Sequence, residues 1–204
     1  MELYDSEEQQ VEAIKDWWQE NGKAVILGAV IGLGGLFGWR YYQDSVVDNQ
    51  EAASHAYNTT IQTLQTKGLD ATADVQTFID NNSGREYAVL AAMQLAQAQI
   101  AAANYKPALE QLEWAKANTK DSALLPVIEI RAVRVKAETG DVEGAISELA
   151  AIKAEGYEGR LAELKGDLLL RKGDSEGAYS AYTEAQQAKD ASQTLQLKLD
   201  DLAK

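Results

Sequence analysis

Few side chains in this sequence could carry out catalysis or hold a metal ion. The 204 residues include no cysteine and a single histidine, His55. Thiolate catalysis, disulfides and cysteine-ligated metal sites are therefore excluded, and His55 lacks the second histidine that would complete a metal site. Adjacent carboxylates such as Glu7-Glu8 and Asp200-Asp201 point in different directions on a helix. We therefore predict a protein that is not an enzyme and that binds no cofactor or metal.

Acidic segments flank one apolar segment. The formal net charge is -13; residues 1–23 carry seven acidic and two basic side chains, and residues 43–204 carry 25 and 16. An acidic surface repels nucleic-acid phosphates and anionic lipid headgroups. We expect no nucleic-acid binding, and a soluble part that stands off the bilayer.

Residues 24–39 contain no charged side chain and lie between Lys23 and Arg40. At ~1.5 Å per residue they cover roughly 24 Å of a hydrocarbon core about 30 Å thick. Lys23 and Arg40 can bridge the difference by extending to the headgroups. Aromatic residues typical of a membrane interface follow, namely Trp39, Tyr41 and Tyr42. We predict a transmembrane helix over residues 24–42.

Two other interpretations of the apolar segment are weaker. A cleavable signal peptide has a basic leader and a small-residue cleavage site, whereas this leader is acidic and Trp39-Arg40-Tyr41-Tyr42 follows. A buried soluble helix would carry five glycines, each costing ~1 kcal/mol. In lipid, glycine instead allows close helix approach.

The glycines of the span fall in a pattern. Gly28 and Gly32 form one small-xxx-small pair, Gly34 and Gly38 form another, and Gly35 shares a helical face with the first pair. This pattern indicates a docking face for a partner helix, or reflects the general frequency of glycine in membrane helices.

Residues 1–23 predict a short amphipathic arm. Its apolar residues recur every three or four positions, at Val11, Ile14, Trp17 and Trp18. Asn21-Gly22 is predicted to end this helix. The arm either contacts a partner or lies at the headgroups, where paired tryptophans are common. Basic residues on its side of the span, Lys15 and Lys23, weakly favour a cytoplasmic N-terminus.

Residues 43–84 predict a helical linker region. One helix covers 44–67 and ends at Gly68, a shorter helix covers 71–80, and residues 81–84 break the chain. Residues 85–204 predict helical repeats, with a capping helix over 192–204.

The last repeat matches the 34-residue tetratricopeptide (TPR) pattern of small and large residues. Its packing residues are Gly166, Leu169, Gly173, Ala178, Tyr182 and Ala185. Small residues at 166 and 178 allow two helices to approach, Leu169 and Tyr182 fill the seam, and Gly173 turns the chain before a capping aspartate.

A similar sequence pattern occurs twice upstream, around Ala108 and around Ala145. Ala108 lies 37 residues before Ala145, and Ala145 lies 33 residues before Ala178. Three units are about the minimum for a self-supporting solenoid. Val133 and Lys136 depart from the TPR pattern, which usually has glycine and a large apolar residue there. The predicted fold is all-α, with one N-terminal transmembrane helix followed by a TPR-like α-solenoid.

Taken together, the sequence resembles the YfgM-type ancillary subunits of the SecYEG translocon. The resemblance runs end to end and rests on QVEAIK at 10–15, ENGK at 20–23, GWRY at 38–41, LKGD at 164–167 and RKGD at 171–174. It implies a single-pass inner-membrane protein of a Gram-negative bacterium, with a cytoplasmic N-terminus and a periplasmic TPR-like domain.

The resemblance also implies partners. These are SecYEG, the chaperone PpiD and unfolded secretory proteins, with restraint of the response regulator RcsB as the alternative function. In the TPR register, the groove residues would be Arg134, Arg160, Glu163 and Asp167.

Overall fold

The computed structural model describes residues 7–202, and side chains from residue 9 onward. The predictions for residues 1–6 of the arm and 203–204 of the capping helix lie outside this range. The elements are α1 Glu7–Lys67, a 3-10 turn Gly68–Ala71, α2 Thr72–Asn81, α3 Glu86–Ala101, α4 Tyr105–Asn118, α5 Leu125–Glu138, α6 Val142–Ala151, α7 Glu158–Lys172, α8 Ser175–Gln187 and α9 Leu195–Leu202. For the described residues, the predicted all-α class is confirmed.

The chain divides into two compact units, Met1–Ala53 and Ser54–Lys204. The second unit includes helices on both sides of residue 85, the predicted start of the repeats. The reason is packing: Leu64, Val75 and Ile79 are buried in one apolar cluster together with α3 and α4. Residues 54–84, which lie within the predicted helical linker region 43–84, therefore pack in the same compact unit as the helices that follow them.

Within the first unit, α1 continues through Asn21 and Gly22, so the predicted helix end at these residues is wrong. The Asn21 Nδ2 atom donates a hydrogen bond to the Trp17 carbonyl oxygen at 3.1 Å. The Trp18 ring covers Gly22, at 3.2 Å from where a Cβ would stand. Helical hydrogen bonds on both sides outweigh the ~1 kcal/mol propensity cost of a single glycine.

The apolar segment of α1 is long enough to cross a membrane, with a mean hydropathy of 1.6 over 18 residues. Its large side chains are exposed, up to 71 % for Phe37. Surfaces this apolar are typical of contact with lipid or with another protein. The single N-terminal apolar helix of the predicted fold is thus present.

The core of the second unit is a row of three apolar clusters. The first contains residues from the end of α1 and from α2, α3, α4 and α5. The second contains residues of α5, α6 and α7, and the third contains residues of α7, α8 and α9. Most contacts between helices join elements that follow one another in the chain. This one-dimensional arrangement is typical of solenoid proteins.

The turns that join paired helices use left-handed backbone. Gly140 and Gly173 have φ of 97° and 91°, a conformation that costs glycine little. The equivalent residue between α3 and α4 is Ala103, the one non-glycine residue among residues 7–202 with positive φ, at 58°. An alanine there is strained by ~1–2 kcal/mol.

Two of the three turns also carry an N-cap. The Asp141 carboxylate accepts a hydrogen bond from the Gly144 N–H at 2.9 Å, and Asp174 accepts one from the Gly177 N–H at 2.8 Å. Each cap satisfies an N–H group that the helix leaves unpaired.

The equivalent residue in the first repeat, Asn104, forms no side-chain cap. Position 107, three residues further on, is Pro107, which has no N–H to donate. Asn104 and Pro107 therefore account for the missing cap, and they are also positions at which the first repeat differs in sequence from the other two.

Candidate functional site

The candidate site is a groove formed by two pockets that share Arg131 and Arg134 of α5. The larger pocket has a volume of about 500 Å³ and extends to Tyr157 and Arg160. The smaller has a volume of about 360 Å³ and a floor that includes Leu164 of α7. We refer to both pockets together as the arginine groove. Their sizes are typical of sites that accept a small ligand or a short segment of chain.

The structure places all four predicted groove residues on this surface. Arg134 lines both pockets, Arg160 and Glu163 line the larger, and Asp167 lines the smaller. On α7 they are spaced by three and four residues, so they share one helical face.

The two predicted carboxylates are already engaged by the C-terminal helix. The Lys198 Nζ atom of α9 lies 2.8 Å from Glu163 Oε1 and 2.6 Å from Asp167 Oδ1. The Tyr182 hydroxyl donates a further hydrogen bond to Asp167 Oδ1 at 2.8 Å. Glu163 and Asp167 therefore hold α9 in place, and the sequence offered no signal for this pairing.

Two titration shifts follow from these contacts. Burial opposes the charge of Lys198, but hydrogen bonds to Asp167 and Glu163 outweigh it, so the pKa of Lys198 is raised. Burial and the adjacent Asp167 raise the pKa of Tyr182. Lys198 is thus positive and Tyr182 neutral throughout the physiological pH range.

The other carboxylates of the groove are also engaged. Glu138 pairs with both terminal nitrogens of Arg171, at 2.6 and 3.2 Å. Asp190 accepts hydrogen bonds from the Gly159 and Arg160 N–H groups at 2.7 and 3.2 Å, capping the start of α7.

The arginines are different. Arg131, Arg134 and Arg160 are exposed, and none forms an ion pair with any side chain that the structure describes. The guanidinium of Arg160 lies 5.5 Å from the centre of the Tyr157 ring, a cation-π contact. Sequence reasoning missed Arg131, although its spacing of three residues from Arg134 was a usable signal.

Most of the residues predicted to pack the repeats lie in their interior, whereas Leu169 is half-buried and the turn residue Gly173 is exposed. Ala108, Ala145 and Ala178 are each fully buried as the fourth residue of α4, α6 and α8. In the third repeat, Leu169 is half-buried against the third cluster, while its neighbour Leu168 is 3 % exposed in the second. Tyr182 is 1 % exposed, Ala185 is fully buried, Gly166 is buried, and Gly173 ends α7 in the left-handed conformation.

Lys136, which departs from the TPR pattern, joins a charged triad. Lys116 and Lys136 lie 2.7 and 2.9 Å from the two oxygens of Glu148. The triad links α4, α5 and α6. Burial opposes the charge of Glu148, but the two lysines outweigh it and lower the pKa of its carboxyl.

The predicted membrane residues all lie on α1. No atom outside the local helix backbone lies within 4 Å of a Cβ built on Gly28, Gly32, Gly34, Gly35 or Gly38, considering the described residues alone. Lys23 and Arg40 are exposed, as are the aromatic anchors Trp17, Trp18, Trp39, Tyr41 and Tyr42. We refer to the helical surface that carries Gly28, Gly32 and Gly35 as the glycine face; it is open to a neighbouring helix.

No group of three or more histidine or acidic side chains in residues 7–202 could hold an ion. The arginine groove presents guanidinium groups next to a smaller pocket lined largely by apolar side chains, and guanidinium groups bind anionic side chains through charge-assisted hydrogen bonds.

Comparison with known proteins gives a consistent result. A family model described as a tetratricopeptide repeat-like domain matches residues 15–204. The ancillary SecYEG translocon subunit of Escherichia coli K12 is 36% identical over 207 residues, covering 100% of both chains. That of Haemophilus influenzae is 34% identical over 89% of each chain. That of Aggregatibacter actinomycetemcomitans is 33% identical, covering 96% of this chain and 97% of the relative. The resemblance noted in the sequence is confirmed, and the chain belongs to the family of ancillary SecYEG translocon subunits, with a TPR-like domain.

Proposed function

We propose that this protein is an ancillary subunit of the Sec translocon that links SecYEG to the chaperone PpiD and helps to transfer emerging secretory proteins. The observation that carries the proposal is the full-length match to the Escherichia coli subunit, at 36% identity. The arginine groove and the open glycine face of α1 supply two separate surfaces for contacts with proteins. Catalysis has no part in this proposal.

The proposed location is the inner membrane, where a single apolar helix and membership of a translocon family are expected together. We place the N-terminus in the cytoplasm and the TPR-like domain in the periplasm. Lys15 and Lys23 before the span, against Arg40 after it, support this direction. Protease added to intact spheroplasts should then degrade the TPR-like domain. Protection of the domain until the membrane is lysed would reverse the topology.

The two surfaces have different roles in this proposal. The glycine face of α1 would dock against a translocon helix, because glycines allow close helix packing in lipid. The TPR-like domain would bind PpiD or unfolded secretory proteins, as solenoid repeats commonly present extended binding surfaces.

The function as a translocon subunit is tested by purification from native membranes. A C-terminally tagged chain, extracted in mild detergent, should recover SecYEG and PpiD, whereas a tagged single-pass protein of unrelated sequence should not. Recovery of neither partner would contradict the proposal. Replacing Gly28 and Gly32 by leucine should reduce recovery of SecYEG if the glycine face is the docking surface.

Restraint of RcsB by the N-terminal arm is the alternative function. One observation favours it: Val11, Ile14, Trp17 and Trp18 of the arm are all about half exposed or more. Deletion of residues 2–20 should then raise RcsB-dependent transcription while leaving translocon recovery unchanged. An unchanged transcriptional output would remove this alternative.

A further inference from the structure

We propose that the arginine groove binds an extended, acidic segment of a partner protein, whose carboxylates pair with Arg131, Arg134 and Arg160. The inference rests on the proposed function only in treating the groove as a surface for protein partners. It adds the chemistry of the bound segment and assigns Arg131 a role.

The first argument is the charge balance of the groove. The four carboxylates on its surface are each bound by a neighbour: Glu138 by Arg171, Glu163 and Asp167 by Lys198, and Asp190 by two N–H groups. The three arginines have no such partner among the described side chains. Together with Arg171 and Lys198, these arginines supply five positive charges against four carboxylates, so the groove carries a net positive charge on a chain of net charge -13.

The second argument concerns the kind of anion. A guanidinium binds carboxylates and phosphates with two parallel hydrogen bonds. Phosphate polymers and anionic lipid surfaces are large, and the acidic remainder of the chain repels them. A carboxylate on a short peptide segment meets the arginines without bringing such a surface close, so charge complementarity favours an acidic peptide.

The third argument is the apolar floor between the charges. Leu164 and Val135 line the smaller pocket, and Ile130 and Tyr157 line the larger. Since both pockets flank the same pair of arginines, a segment that crosses them places apolar side chains on either side of its carboxylates. The expected occupant therefore alternates acidic and apolar residues.

The test uses the full-length chain in detergent and a fluorescein-labelled twelve-residue peptide in which aspartate and glutamate alternate with leucine and valine. A matched peptide carries asparagine and glutamine at the acidic positions. The acidic peptide should bind at least tenfold more tightly, and its affinity should fall as salt rises, because the contacts are charged. Equal binding of the two peptides would overturn the inference.

The double variant Arg131→Gln/Arg134→Gln should weaken binding of the acidic peptide at least tenfold. The control, Lys106→Gln/Lys165→Gln, removes two positive charges from exposed positions outside both pockets and should change affinity less than twofold. Helical circular dichroism of each variant should match that of the parent. An equal effect of the two double variants would overturn the inference, since it would reflect net charge alone.

A labelled single-stranded DNA of similar charge, and vesicles containing anionic lipid, serve as competitors. Neither should displace the acidic peptide at equal charge concentration, and displacement by either would overturn the choice of a peptide. The peptide assay contains no translocon. If the acidic peptide does not bind but SecYEG is recovered from membranes, only the groove inference is rejected. If the peptide binds but SecYEG is not recovered, only the translocon proposal is rejected.

Discussion

The ring of Tyr182 on α8 lies directly against the backbone of Gly166 on α7. A Cβ on residue 166 would stand 3.0 Å from Cζ of that ring and closer still to its edge. The equivalent pairs in the first and second repeats combine larger and smaller partners: Ala96 with Leu112, and Val133 with Leu149. Glycine with tyrosine and alanine with leucine have similar combined volumes, whereas valine with leucine is larger, so the third repeat and the first are the matched pair for a test of packing.

Replacing Gly166 by alanine should therefore destabilise the TPR-like domain. The gain in helix propensity, about 1 kcal/mol, is outweighed by an overpacking cost of about 1–3 kcal/mol. We expect a net loss of roughly 1 kcal/mol, which lowers the Tm by about 2–4 °C for a domain of this size. Thermal unfolding followed by circular dichroism measures the change.

The double variant Gly166→Ala/Tyr182→Leu recreates the pair found in the first repeat. Gly166→Ala should lower the free energy of unfolding less in a Tyr182→Leu background than in the parent background, because the smaller leucine leaves room for the Cβ. A methyl group that costs the same beside leucine as beside tyrosine would contradict the volume argument.

Ala103→Gly should stabilise the protein, in contrast to most glycine substitutions. The φ of 58° at this position strains alanine by ~1–2 kcal/mol, while glycine loses part of that gain through the entropy of the unfolded chain. We expect an increase of about 0.5 kcal/mol in the free energy of unfolding, measured by chemical denaturation. Gly140→Ala, at φ 97°, is the matched reversal and should destabilise.

The N-caps of the second and third repeats should contribute to stability, and the equivalent residue of the first should not. Asp141→Ala and Asp174→Ala each remove a hydrogen bond to a helix N–H and should cost about 1 kcal/mol. Asn104→Ala removes no side-chain cap and should change the free energy of unfolding by a few tenths of a kcal/mol at most. A similar loss in all three variants would show that capping is not the cause.

The Glu148 triad should stabilise the protein at neutral pH and not in acid. Burial alone would raise the pKa of Glu148, but its hydrogen bonds to Lys116 and Lys136 outweigh burial and lower the folded-state pKa. Its contribution is therefore fully present above the unfolded pKa, about 4.3, and is lost as the pH falls through the lowered folded value.

The measurement compares the parent with Glu148→Gln by denaturant unfolding between pH 7 and pH 3. The parent should be more stable by about 1 kcal/mol at pH 7, and the difference should shrink below pH 4. Glu110→Gln, an exposed change on α4, should have little effect at pH 7. A difference that grows on acidification would contradict the expected sign.

Local features of the chain were predictable from the sequence. The apolar segment, the end of α1 at Lys67 and the turn at Gly173 each depend on residues close together in the chain, so composition and spacing were enough to predict them. The predicted helix end at Asn21-Gly22 was wrong, because a helix that continues on both sides tolerates one glycine.

What the amino-acid sequence alone determined was an apolar helix followed by TPR-like repeats, since periodicity and turn residues express local backbone preferences. Only the tertiary structure decided that residues 54–84 pack in one compact unit with the later helices, and which charged side chains of the groove are paired. Lys198 binds Asp167, and Arg171 binds Glu138, across more than thirty positions of the chain. Such pairings depend on how the helices stack, which no local pattern specifies, and they leave Arg131, Arg134 and Arg160 unpaired within the described chain.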